Sequence, residues 1–106
     1  MIKSIDLYEP SSHLDLTFLG ETTARAVGHY IATKLEPILG VGEMKEMCVA
    51  DEESLVANLD RSKQYFEIHI LNKSKHSYRV RQFLGSDRKT ADILENLAEV
   101  LRLEFK

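Results

Sequence analysis

One cysteine, Cys48, stands in the whole chain, and a lone thiol cannot close an internal disulfide. That excludes the stapled scaffolds of small secreted domains and sets the expectation of a reducing, cytoplasmic compartment. Apolar runs are short, none approaching the roughly 20 residues that span a bilayer. The opening Met1-Ile2-Lys3-Ser4-Ile5-Asp6 has no long apolar core of the kind a signal peptide carries. Cys48 and the histidines His13, His29, His69 and His76 show neither Cys-x-x-Cys nor His-x-x-x-His spacing, so no metal is expected. Gly40-Val41-Gly42 lacks the third glycine and the following helix of a dinucleotide loop, and no Gly-Lys-Ser/Thr phosphate loop occurs. No cofactor is expected either. Low-complexity tracts and long linkers are also missing, so residues 1–106 are expected to form a single globular domain.

What is present is a globular composition, 43% apolar and 29% charged, and a short echo. Phe18-Leu19-Gly20 returns as Phe83-Leu84-Gly85, each time between an apolar alternating stretch and a helix-like one. Ile2 to Tyr8 and Leu14 to Leu19 alternate around the turn residues Glu9-Pro10-Ser11-Ser12 and predict a hairpin. With Ile5 facing Leu16 and Leu7 facing Leu14, Asp6 falls opposite Asp15 on the other face. Two like charges there call for relief by a neighbouring basic strand, by solvent or by a cation. Tyr65 to Leu71 and Tyr78 to Leu84 predict a second hairpin around Asn72-Lys73-Ser74-Lys75-His76. Pairing Ile70 with Tyr78 and Ile68 with Val80 sets His69 beside Arg79 and Glu67 beside Arg81 on its polar face.

After each hairpin comes a helical period. Thr22 or Thr23 can cap a helix with Ala24, Val27, Ile31 and Leu35 on one face, ending near Leu35 or Glu36 because of Pro37. Gly28 on that face reads as close packing against a sheet. Ser86 or Asp87 can cap the second helix, whose face is Ile93, Leu94, Leu97, Val100 and Leu101, with Glu95 and Glu99 outward. Between the two units, Met44 to Ala50 reads as a strand. Asp51, Glu52 and Glu53 read as the acidic start of a short helix burying Leu55, Val56 and Leu59. The predicted fold class is α+β, a two-layer sandwich. An antiparallel sheet of about five strands carries two long helices on one face, in the order ββα, β(α), ββα with an internal ββα duplication. In element order this is similar to roadblock and longin-type domains, small adaptors used in assemblies. The likeness is one of architecture.

Charge divides the chain. Residues 1–60 carry four Lys/Arg and eleven Asp/Glu, a net −7, whereas residues 61–106 carry ten and six, a net +4. Such a split means a polyanion site or two halves that attract one another inside one fold. The preferred reading is a small non-catalytic interaction module, of adaptor, assembly-factor or inhibitor type. It would bind another protein, or a second copy of itself as a homodimer, through the exposed sheet face or an edge strand. Glu67, His69, Arg79 and Arg81 are its candidate polar contacts, with Asp6 and Asp15 as their counterparts in this molecule or the partner. One alternative is single-stranded nucleic acid held by the basic 73–89 hairpin. A second is a metal-independent ribonuclease using His69 or His76 for proton transfer and Arg79 and Arg81 to hold phosphate.

Overall fold

The computed structural model describes residues 2–8, 13–58, 65–84 and 87–104. In chain order the elements are β1 (Ile2–Tyr8), β2 (His13–Phe18), α1 (Ala24–Leu39), β3 (Lys45–Val49), β4 (Glu52–Asn58), β5 (Tyr65–Ser74), β6 (Ser77–Leu84) and α2 (Asp87–Leu103). The strands form one six-stranded antiparallel sheet in spatial order β1-β2-β6-β5-β4-β3. Helix α1 packs over β3, β4 and β5, helix α2 over β1 and β2, and the helices meet each other. Five strands and a simple doubling of ββα are therefore not what is found. The order is ββα, ββ, ββα, because the middle of the chain contributes a complete hairpin.

Alternation reads the first hairpin correctly. Ile5 faces Leu16, Leu7 faces Leu14 and Asp6 faces Asp15, and Leu14 and Leu16 are fully buried beneath the helices. The turn residues 9–12 lie outside the described residues. In the second hairpin the predicted register is wrong by two. Ile70 pairs with Val80, His69 with Arg81, Leu71 with Arg79 and Asn72 with Tyr78. The cause is the turn: β5 runs on to Ser74, leaving only Lys75 and His76 to reverse the chain. A slip of two keeps every side chain on its face, so Ile68, Ile70, Tyr78 and Val80 are all buried as predicted. The Tyr78 hydroxyl donates to the Thr22 carbonyl at 2.7 Å, tying the core to the loop that precedes α1.

Helix α1 starts at an N-cap, Thr23, whose Oγ1 accepts from the Ala26 N–H at 3.2 Å. Ala24, Val27, Ile31 and Leu35 are buried. The helix does not stop at Pro37 but runs to Leu39 and closes on Gly40, at φ 72°. A proline this near the end forfeits one hydrogen bond, whereas Ile38 and Leu39 pack against the core. The Gly40 and Val41 N–H groups both return to the Glu36 carbonyl, so the last turn is satisfied. In α2, Leu94, Leu97 and Leu101 are buried, Ile93 and Val100 half-buried, and Glu95 and Glu99 exposed. Ser86 lies outside the described residues, and the helix begins at Asp87.

The predicted short helix after Asp51 is strand β4. Glu53, Leu55 and Ala57 alternate into the core while Glu52, Ser54 and Val56 face away. Pairing on both sides, with β3 and β5, outweighs the helix-start signal of the three acids. Ala50 and Asp51, at φ 50° and 59°, form the two-residue turn from β3, a backbone that matches strand twist but disfavours side chains. Asp51 does cap a helix, though a different one: its Oδ1 accepts the Ala24 N–H of α1 at 2.9 Å.

Gly28 faces β4, as the close-packing reading requires. A Cβ there would stand 2.1 Å from Glu53 Oε2 and 2.8 Å from its Cγ. Alanine for glycine inside a helix normally adds about 0.8–1 kcal/mol of stability. Here Gly28→Ala is expected to destabilise by about 1–3 kcal/mol through overpacking. In a Glu53→Ala background the same change is expected to stabilise. Urea unfolding of the four proteins in this cycle checks the reversal.

Candidate functional site

Residues paired across neighbouring strands share a face, so the registers spell out the uncovered side of the sheet in rows. One row reads Tyr8, His13, Arg81, His69, Ser54, Met47, and the next reads Asp6, Asp15, Arg79, Leu71, Glu52, Val49. Polar and charged groups fill the middle of this face. At its β3 end Met47 and Val49 stand exposed, with Lys45, Ser54 and Glu52 around them.

Asp15 is the centre of the polar part. It is 7% exposed and directly opposite Arg79 on β6. The guanidinium donates through Nε to Oδ1 at 2.8 Å and through its second nitrogen to Oδ2 at 3.1 Å, and Lys73 Nζ donates to Oδ2 at 3.0 Å. Burial alone pushes the Asp15 carboxyl up, but the hydrogen bonds from Arg79 and Lys73 outweigh it and hold the group below the usual carboxylate range. The clash that the sequence sets up between Asp6 and Asp15 is thus relieved by a basic neighbouring strand, with Asp6 left exposed on β1. Beside it, His13 stacks on Tyr8 at 4.5 Å between ring centroids. Burial first, and then the Arg79 charge, lowers the His13 pKa.

The six candidate residues fall into two groups. Asp6, Asp15 and Arg79 share one row. Arg81 lies exposed between His13 and His69 in the other, and His69 Nε2 stands 3.4 Å from Glu67 Oε1. The pairs predicted as His69 with Arg79 and Glu67 with Arg81 do not occur: Arg79 sits opposite Leu71, and Glu67 opposite Leu84. Lys73 is missing from the predicted set because the sequence assigns it to a loop, whereas it belongs to β5.

A second constellation lies on the helix side of β3 and β4 and is not anticipated at all. Glu53 is 2% exposed, and among the described residues nothing donates to its Oε2. Burial, and next the neighbouring charge of Glu46, pushes its carboxyl up to about 7. Glu46 in turn meets His29 Nδ1 at 3.0 Å, and that bond raises the histidine pKa. The signal was available in the alternation of Glu53 with Leu55 and Ala57. Cys48 is half-buried and opposite Glu53. Among the described residues no group of three His, Cys, Asp or Glu is placed to hold a metal ion.

A groove of 540 Å³ opens at the other end of α1, over Ile2, Phe18, Val27 and Tyr30. Its polar rim is closed on itself, since Glu104 accepts from both Tyr30 and Lys34. Among the described residues no helix is long and apolar enough to cross a membrane. Compared with known protein families, curated proteins and solved structures, the chain matches none.

Proposed function

We propose that the chain is a small non-catalytic interaction module that takes another protein on the uncovered face of its sheet. The observation that carries this reading is the placement of Met47 and Val49, 64% and 65% exposed. Half-buried Val56 and Leu71 lie on the same face, the first opposite Lys45 and the second across Glu52 from Val49. Contiguous apolar side chains left in water mark interaction surfaces more often than accidents of folding. Next to the patch Asp15, Arg79 and Lys73 satisfy one another, so a partner meets a polar flank that is already neutralised.

The same network weighs against nucleic acid on the basic hairpin. Arg79 and Lys73 are both engaged by Asp15, and a phosphate would have to displace a carboxylate already in place. Distance weighs against a ribonuclease that would use both histidines as an acid–base pair. His69 is separated from Ser74 by about 17 Å of strand, at 3.3–3.4 Å per residue, and His76 lies beyond it in the turn. The two rings therefore cannot flank one phosphate.

A photo-reactive residue in place of Val49 is expected to crosslink a single protein species in an extract of source cells. Adding Met47→Asp is expected to abolish the adduct without lowering the melting temperature. Equal crosslinking from a probe at Lys3 would reject the reading. So would oligonucleotide binding that collapses with salt and with Arg81→Ala.

A further inference from the structure

We propose that edge strand β3 is the docking rail of this module, and that its occupant is an extended peptide segment in which apolar side chains alternate with lysine or arginine. The proposal rests on the interaction reading above and names the partner's chemistry.

Among the described residues, strand β3 pairs with β4 on one side only. No other described strand takes up the backbone donors and acceptors of its other side, the template on which a further strand adds. The two edges of the sheet differ in this respect. Strand β1 breaks register between Ile2 and Ser4, a disruption that blunts an edge. Strand β3 holds its pairing with β4 without a break from Lys45 to Val49.

Alternation along β3 then sorts the side chains of whatever pairs with it. Toward the uncovered face it shows Lys45, Met47 and Val49, so an incoming strand gains by placing apolar residues beside the last two. Toward the helices it shows Glu46, met by His29, and Cys48, which faces Glu53 on β4. A residue directly opposite Glu46 would have its Cβ about 4.5–5.5 Å away, near enough for a lysine or arginine to reach the Glu46 carboxylate. Glu53, opposite Cys48 on the inner strand and pressed against Gly28, lies behind this contact, so Glu46 is the carboxylate the cation meets. A partner thus adds a second cation to the carboxylate that His29 already meets, in a charge-assisted bond.

Charge also separates this occupant from the other obvious one. A second copy added strand to strand about a two-fold axis, with its helices on the same side, brings the two Glu46 carboxylates toward each other. Like charges so placed oppose pairing. An acidic segment meets the same repulsion.

The test uses the full chain, labelled with ¹⁵N, and a capped synthetic peptide alternating lysine with valine, with the glutamate–valine peptide as control. Amide shifts are expected to move from Lys45 to Val49. The control is expected to bind more weakly by about tenfold or more, and Glu46→Gln to weaken the lysine peptide by about tenfold. Val49→Asp, at an exposed position, is expected to weaken it through the apolar side. Equal binding of both peptides would overturn the proposal, as would shifts confined to β1 or to the Asp15–Arg79 region. Movement of the β3 amides on raising protein concentration alone would assign the rail to a second copy and overturn it too. If the β3 amides ignore the lysine peptide while Val49 still crosslinks a partner, the rail falls and the interaction module stands. If both fail, the two readings fall together.

Discussion

Replacing Glu53 with glutamine is expected to raise the unfolding free energy at pH 8 by about 2–3 kcal/mol and to leave it nearly unchanged at pH 4. A glutamate in the unfolded chain ionises near 4.5, whereas in the fold this one ionises near 7. Within that window the native state keeps a proton that the unfolded chain has already released. Stability therefore falls as pH rises from about 4.5, and the loss is complete above about 7. Glutamine has nearly the same shape and no charge at any pH, so it removes the slope. His29, raised by its bond to Glu46, contributes stability that is also lost as pH rises, and His29→Gln separates its share. Urea unfolding at pH 4, 6 and 8 measures all three proteins. A flat wild-type profile over this range, or a Glu53→Gln protein weaker than wild type at pH 8, would contradict the burial argument.

Two arginines on β6, separated by one residue, are expected to behave very differently. Arg79→Ala leaves Asp15 buried with Lys73 as its remaining cationic partner, at an expected loss of about 2–4 kcal/mol near neutral pH. Arg81→Ala removes an exposed side chain and is expected to change stability by less than about 0.5 kcal/mol. The pH dependence of the first effect follows from the depressed Asp15 pKa. Its contribution is present above the unfolded value and lost as pH falls through the folded one, so wild type and Arg79→Ala should converge in acid. Asp15→Leu combined with Arg79→Met should recover most of the loss, since an apolar pair of similar size leaves no buried charge unmet. Thermal and urea denaturation of the single and double variants decide between this account and one in which the pair is merely superficial.

What the sequence made legible follows from how local each signal is. Period-two alternation identifies the first hairpin down to its facing pairs, since Ile5, Leu7, Leu14 and Leu16 allow one buried face. The same rule places Ile68, Ile70, Tyr78 and Val80 in the core but not their partners, because register also depends on turn length, and β5 continues through Lys73 and Ser74. Pro37 and the acids at 51–53 mislead for a shared reason. Each carries a real local preference, and each is outweighed by packing or pairing with residues distant in sequence. The Asp15–Arg79 bond needs β2 and β6 to be neighbours, a fact no local pattern contains, although the pairing of two acids in the first hairpin already asked for a basic strand beside it. Glu53 went unread because its alternation with Leu55 was taken for the first turn of a helix.

The neighbouring of β2 and β6 has a consequence for how the molecule is made. His13 to Thr17 are zipped to Ser77 to Arg81, so the sheet has a late-closing seam near its middle. During synthesis the β1–β2 hairpin leaves the ribosome with Leu14 and Leu16 uncovered, and it waits until its neighbour β6 and its roof, α2, have been made. Closing so wide a loop slows assembly. Until then the newborn hairpin is the piece most open to zipping with a strand from another nascent copy.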